Sequence, residues 1–394
     1  MKYFNVYMVA LLVLTACSSE GTSSPTDPPE PESPIGENGG EQNGGNTDGQ
    51  SFFLGADLSY VNEMEDCGAV YYDRDGVKKD PYLIFGEAGT NLIRLRLWHN
   101  PQWTDYSNLS DVKKSIARAK GLEMQVLLDF HYSDTWTDPS QQEIPVAWAD
   151  YIDDTPALGD LLYTYTYETL MELNDEGLLP DIVQIGNEIN PMILQQGELE
   201  WPIDWERNSY LINKGIQAVR DVSSENQINI EVMLHIAQPE NGLWWFEQAV
   251  DNGVTDFDWI GLSYYPIWSE YDLDEVSQAF KTLMDTYSKR LMVVETAYPY
   301  TLDNADGANN ILGEEALVQG FDASPEGQLG YLNKLYGIIK DAGGEGLIYW
   351  EPAWVSTDCY TLWAQGSHWD NATLFNRDNR ALKGMEFYGI EKTD

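Results

Sequence analysis

The chain has 394 residues, with 22 basic and 65 acidic side chains and a formal charge of -43. A surface this acidic repels nucleic acid and anionic membrane, and favours a neutral or cationic ligand. The 14 Trp and 24 Tyr suit stacking against an uncharged ring such as a sugar, alongside their ordinary use in a core.

The N-terminus opens with Met1-Lys2, a nearly continuous apolar run from Val6 to Val13, and then Leu14-Thr15-Ala16-Cys17. This is the pattern of a bacterial lipoprotein signal, cleaved at 1–16 so that Cys17 carries lipid. The apolar run is too short to span a bilayer, so the expected membrane link is the lipid alone. Residues 18–50 are Ser, Pro, Glu, Gly and Asn with almost nothing apolar, and such a segment cannot offset its own ordering entropy. We therefore expect a tether over 17–50 and one folded domain over 51–394. The expected location is the bacterial outer membrane, facing outward, with a secreted protein as the outcome if the anchor is absent. Cys67 and Cys359 could pair outside the cytoplasm, but nothing local in the sequence shows that they do.

Eight short apolar runs follow. In chain order they are FFLGADLS (52–59), LIRLRLW (92–98), EMQVLLDFH (123–131), IVQIGNE (182–188), INIEVMLHIA (228–237), FDWIGLSYYP (257–266), RLMVVETA (290–297) and GLIYWEPA (346–353). Helical patterns lie between them. Ser110 reads as an N-cap for DVKKSIARAKG, with Gly121 as the stop, and further helices are expected over 205–220, 271–287 and 328–340. Eight β/α units of this length fit a closed (β/α)8 barrel. An open doubly wound sheet is the alternative, but the first turn lacks GxGxxG and no GxxxxGK occurs, so nucleotide binding has little support.

In a barrel the C-terminal strand ends converge on one rim. Here they carry Arg94 and Arg96, Asp129 and His131, Asn187 and Glu188, His235, Tyr264 and Tyr265, Glu295, and Trp350 and Glu351. Glu188 ends the fourth strand and Glu295 the seventh, roughly opposite each other. Two carboxyl groups flanking one bond are what glycoside hydrolysis needs: one to protonate the leaving oxygen, one to attack the anomeric carbon. Nearby arginines would lower the nucleophile's pKa, while burial and the second carboxylate raise that of the acid. The alternative for Glu295 is a structural ion pair with Arg94 or Arg96. His131 and His235 lie on different strands without HExxH or two-histidine spacing, which argues against a zinc centre.

The chain closely resembles glycoside hydrolase family 53, the arabinogalactan-cleaving endo-β-1,4-galactanases. The resemblance is carried by GADLSYVNEME, GTNLIRLRLWHNP, LLDFHYSDTWTDPSQQ with PVAW after it, VQIGNEIN, HIAQPENG, IGLSYYPIW, VVETAYPYT and GLIYWEPAW. It implies a (β/α)8 barrel and retaining, endo-acting cleavage of β-1,4-galactan, the side chain of pectin, with Glu188 as acid/base and Glu295 as nucleophile. It further implies that Asn187 contacts the sugar 2-hydroxyl. By position, Arg94 or Arg96 steadies the nucleophile, Tyr264 or Tyr265 hydrogen-bonds it, and Trp350 floors the subsite of the attacked sugar. Trp98, Trp136, Trp268 and Trp354 are stacking candidates, with core packing as the competing role. No cofactor is required for the chemistry, and a monomer is expected. Some bacterial relatives bind structural calcium between the loops after strands seven and eight. Here Asn304, Asp306, Asn310, Ser367 and Asp370 match that pattern, but Ala308 stands where a His is expected. The other readings are a related hydrolase acting on mannan or glucan, and a surface lipoprotein that grips glycans without cutting. The presence of both Glu188 and Glu295 argues against pure binding.

Overall fold

The structure, a computed structural model, describes residues 52–392. The lipoprotein signal, Cys17 and the tether lie outside the described residues. Eight parallel strands close into a barrel in sequence order: β1 (Phe53–Asp57), β2 (Leu92–Leu97), β3 (Gln125–Phe130), β4 (Ile182–Ile185), β5 (Glu231–Ala237), β6 (Trp259–Ser263), β7 (Arg290–Glu295) and β8 (Gly346–Tyr349). Each falls inside one of the eight apolar runs, and the runs overshoot because their polar ends belong to the loops above the barrel.

The helices are α1 (Val61–Asp66) and α2 (Pro81–Ala88), both before β2, then α3 (Leu109–Lys120), α4 (Thr155–Asp175), α5 (Trp205–Asn226), α6 (Pro239–Asp251), α7 (Val276–Tyr287) and α8 (Pro325–Ala342). The cap of α3 is Asn108, whose Oδ1 accepts the Asp111 N–H, and not Ser110, which lies inside the first turn. Asn108 is in the extended conformation that lets a short side chain reach back to the open N–H groups.

Buried on both faces, the strands form two cores. Phe53, Leu92, Leu127, Ile182, Met233, Trp259, Met292, Val294 and Ile348 fill the barrel interior. A second, larger core lies between barrel and helices and includes Ile93, Leu95 and Leu97. The alternation along β2 therefore sends Leu92, Arg94 and Arg96 inward in successive layers, with the two arginines nearest the mouth. On β3 the same rule carries Leu127, Asp129 and His131 to that face.

Cys67, at the end of α1, forms a disulfide with Cys359, after β8, across 292 positions in sequence. The pairing left open by the sequence is thus made by the fold, which brings the two Cα atoms to 5.8 Å. It ties the first β/α unit to the segment that carries Trp363 at the barrel mouth. A bridge closing so long a loop restricts the unfolded chain strongly. Reduction, or Cys67→Ser with Cys359→Ser, is expected to lower the unfolding free energy by roughly 2–5 kcal/mol. Thermal unfolding with and without reductant measures it, and coincident curves would show that the bridge adds nothing.

Candidate active site

A cleft of about 500 Å³ opens at the C-terminal face of the barrel. Its lining includes Asp57, Arg94, Asp129, Asn187, Glu188 and Glu295, with Trp136, Trp268, Trp350, Trp354, Trp363 and Trp369 around them.

Glu188 reaches the cleft through a strained turn. Gly186 (φ 80°) and Glu188 itself (φ 45°) lie in the left-handed region. For Glu188 that conformation costs on the order of 1–3 kcal/mol and persists only where the surroundings impose it. They do so here. The Ile189 N–H donates to the His235 carbonyl. Asn190 Oδ1 accepts the Ala237 N–H at 2.8 Å, while its Nδ2 donates to the Ala237 carbonyl at 3.0 Å. Gln142 Nε2 donates to the Asn187 carbonyl at 2.9 Å.

Glu295 arrives by a different irregularity. Met292 and Val294 face the barrel interior, so strict alternation would turn Glu295 outward. The pairing with β6 shifts at this point, so that Ser263 lies opposite Glu295 rather than Val294. Bulged strands of this kind redirect a side chain. Glu295 enters the mouth while Thr296 bonds Tyr331 of α8 on the outer side.

The two carboxyl groups, with His235, present oxygen and nitrogen atoms that all lie within 4.8 Å of one another. Arg94 sits beneath them. Its Nη1 pairs with Glu295 Oε1 at 2.7 Å and Asp57 Oδ2 at 2.9 Å, and its Nη2 with Asp129 Oδ2 at 2.8 Å. Nη2 also donates to Asn187 Oδ1 at 2.8 Å. The choice between the two arginines is therefore settled by geometry. Arg96, one layer nearer the rim, pairs with Glu351 at 3.2 Å and lies against the rings of Tyr60, Trp98 and Trp136. Glu351, fully buried beside it, is a structural partner and not a third acid in the cleft.

Glu188 is held differently. Ser263 Oγ donates to its Oε1 at 2.5 Å, and His235 Nε2 lies 2.9 Å from the same Ser263 oxygen. Burial keeps His235 neutral, and its Nδ1 faces Asn187 Oδ1 at 3.0 Å. Both ring nitrogens are thus engaged within the protein, which leaves neither free for a metal. His131 accepts the Thr137 N–H at Nδ1, which leaves Nε2 to donate to Asp129 at 3.2 Å.

Burial pushes the Glu188 carboxyl up to about 7, against the hydrogen bond from Ser263. Arg94 pulls the Glu295 carboxyl down, as the sequence reading expects, but burial outweighs that pull. Burial raises Glu295 too, and Glu188, Asp57 and Asp129 add to it against the pull of Arg94. Two neighbouring carboxyls raised together share one proton. Arg94 touches Glu295 at 2.7 Å, and among the described residues no cation lies within ion-pair distance of Glu188. The shared proton therefore belongs on Glu188, leaving Glu295 ionised beside its arginine.

The aromatic candidates divide. Trp350 lines the cleft, braced edge-on by Trp369 at 4.7 Å. Trp136 and Trp268 also line it. Trp354 forms part of the wall but is only 1% exposed and stacked on Tyr60 at 4.1 Å, so it offers little face to a sugar. Trp98 is not in the lining; it packs behind the wall against Trp103 and Trp136. Tyr265 lines the cleft, whereas Tyr264 points away and donates its hydroxyl to the Tyr271 carbonyl at 3.0 Å. Asn187 is in place, its amide already engaged by Arg94 and by the Thr137 carbonyl at 2.8 Å.

Several site residues were missed from the sequence. Asp57 and Gln184 sit at strand positions like those of the residues chosen, and only their contacts with Arg94 mark them. Ser263 carries no charge to draw notice. Trp363 and Trp369 lie beyond any strand, in a loop whose path the sequence does not reveal.

The five calcium candidates converge, but on one another. Asn310 Nδ2 donates to Asn304 Oδ1 and to Asp370 Oδ1, each at 2.8 Å. Asp306 accepts from Ser356 Oγ, the Ser367 N–H and the Ala308 N–H. Ser367 Oγ is spent on the Trp354 carbonyl. Asn310 Oδ1 is left buried without a partner. Calcium requires six to eight oxygens, and the candidate set has two carboxylates, with Ala308 in place of a further side-chain ligand. The side chains themselves tie the two loops together as a hydrogen-bonded latch.

A parallel eight-stranded barrel with a half-buried and a buried carboxyl close together in an aromatic cleft defines a glycoside hydrolase. The chain belongs to glycosyl hydrolase family 53, whose sequence pattern matches residues 53–388. It is 55% identical to the arabinogalactan endo-beta-1,4-galactanase of Cellvibrio japonicus, over 88% of this chain and 93% of that one. Against the endo-beta-1,4-galactanase of Bacillus subtilis the identity is 33%, over 89% and 81%. Among solved structures, the family 53 catalytic domain of Ignisphaera aggregans superposes with a TM-score of 0.78 at 33% identity, covering 86% of this chain and 95% of that domain.

Proposed function

We propose that the protein cleaves internal β-1,4-galactosidic bonds of galactan or arabinogalactan by double displacement. Glu295 attacks the anomeric carbon while Glu188 gives its proton to the departing glycosidic oxygen. The leaving chain diffuses away, and Glu188, now ionised, takes a proton from the water that hydrolyses the galactosyl ester on Glu295. Each step inverts the anomeric carbon, so the product retains the β configuration.

The observation that carries this reading is the approach of the two carboxyls to within 4.8 Å. Retaining pairs stand about 5–5.5 Å apart, whereas inverting pairs need about 6.5–9.5 Å to admit a water. The identity of the sugar is supported by the galactanase relatives. Both carboxyls come from one chain, which suits a monomer, and the route uses side chains alone, so no cofactor and no calcium enters it. Reducing-sugar release from galactan, beside mannan and cellulose, is the test, with NMR of the first product formed. Release from galactan as the β anomer is expected; no release, or an α product, overturns the reading.

We further propose that Cys17 is lipidated and holds the enzyme on the outer face of a bacterial outer membrane, where a long polymer can reach it. Support comes from Leu14-Thr15-Ala16-Cys17 after an apolar run. Cys17→Ser should abolish lipid labelling and release the protein, and unchanged membrane fractionation would sink the proposal.

A further inference from the structure

Four tryptophans among the described residues are more than a third exposed: Trp103, Trp201, Trp268 and Trp363. Trp268 and Trp363 line the cleft. Trp103 is tied down, its indole N–H donated to the Asp134 carbonyl and its ring against Trp98. Trp201 has the most exposed surface of the four, 57%, in the loop between β4 and α5. Its ring lies 6.4 Å from that of Trp244 on α6, with an interplanar angle of 59°. Trp244 is joined to the cleft, since its indole N–H donates to Asn241 Oδ1 at 3.4 Å and Asn241 belongs to the cleft lining. Asn241 is fixed in turn by donating to the Ala237 carbonyl at 2.9 Å.

The direction of this extension follows from the chemistry. The acid must stand beside the oxygen that leaves, so the departing part of the chain runs past Glu188. The walls on that side come from the loops after β4, β5 and β6, which supply Glu188, Gln238 and Trp268, and from the first turn of α6, which supplies Asn241. Trp244 lies three residues beyond Asn241, a little under one turn or roughly 4.5 Å along the helix. We propose that Trp201 and Trp244 form a distal binding site for sugar units of the leaving-group end of the polysaccharide, outside the cleft proper. Two rings set at an angle suit the apolar faces of successive pyranoses. The exposed Glu198 and Glu200 before Trp201 accept hydroxyl hydrogen bonds and repel an anionic chain, which matches a neutral polymer.

The proposal rests on the galactanase reading, and one experiment separates the two. The rates kcat/KM of the wild type, Trp201→Ala and Trp244→Ala are measured on galactan and on an aryl β-galactobioside, whose phenol reaches only the first leaving-group position. Trp201 is exposed, so its replacement leaves the core intact. Loss of a stacked aromatic anchor is expected to lower kcat/KM on galactan about tenfold, mainly through KM, with the aryl glycoside unaffected. End-labelled galacto-oligosaccharides should also be cut at altered positions. If galactan and aryl glycoside fall together, or neither moves, the distal site is refuted. Light scattering that shows a dimer lost in Trp201→Ala, with both rates unchanged, would make the patch a contact between copies instead. A wild type inert on galactan would refute the galactanase reading itself.

Discussion

Glu295→Ala is expected to lose nearly all turnover on every substrate, by a factor on the order of 10⁴ or more, since a nucleophile has no substitute in the site. Glu188→Ala should behave differently. On galactan, whose leaving group is a poorly acidic alcohol, the loss of general acid catalysis is expected to cost about 10²–10⁴-fold. On an aryl galactobioside with an acidic phenol, the first step should be largely spared. The glycosyl ester on Glu295 should then accumulate, because the base that activates water is gone. Azide needs no base and should restore turnover in Glu188→Ala, giving a β-galactobiosyl azide. A folding defect would produce no such pattern, and a β azide from Glu295→Ala would exchange the two assignments. The same carboxyl sets the alkaline limb of the wild-type profile. Glu188 must hold its proton to act, and that proton leaves as pH rises through about 7. The rate on galactan should therefore fall above neutrality, and this limb should vanish from the aryl-glycoside profile of Glu188→Ala.

The second large effect is expected at Arg94. Its guanidinium is buried and compensates three carboxylates: Glu295, Asp57 and Asp129. Arg94→Met leaves all three without a counter-charge, and breaking a buried pair in this way costs about 3–5 kcal/mol of stability. Its effect on catalysis has a definite sign. Removing a positive charge raises the Glu295 carboxyl further, and Glu295 must be ionised to attack. The acid limb of the rate profile should move upward in pH and the maximal rate should fall. Arg94→Lys keeps the charge but replaces a planar fork by a single ammonium, so it should restore part of the limb and part of the stability. Arg96→Met is the comparison. It removes the pair with Glu351 and the packing on Trp136, and should cost stability while leaving the acid limb in place. Equal displacement of that limb in the Arg94 and Arg96 variants would show that Arg94 has no special tie to Glu295. An unmoved limb in Arg94→Met would show that the ion pair is structural only.

The amino-acid sequence by itself determined the eight strands, because strands covered on both faces read as short uninterrupted apolar runs. It also determined Glu188 and Glu295 as the pair to examine, since polar groups at the C-terminal ends of barrel strands gather at one rim whatever the loops do. The motifs around them pointed to the family. Only the tertiary structure decided the rest, and the reason differs from case to case. Arg94 and Arg96 share a face of β2 with identical chemistry, and the layer each occupies chooses its partner. The inward turn of Glu295 depends on a register shift against β6, and Glu188 on left-handed backbone enforced by contacts with β5 and the Gln142 side chain. Neither irregularity has a local signature. The Cys67–Cys359 bridge and the approach of Trp363 to the cleft depend on closure of the barrel, which joins segments nearly 300 positions apart. The calcium candidates behave in the same way: the sequence pattern names the side chains, and only the fold shows Asn310 bridging Asn304 and Asp370 between the two loops. Periodicity records which face of an element is covered, whereas partner choice among polar side chains is set by distances that only the folded chain defines.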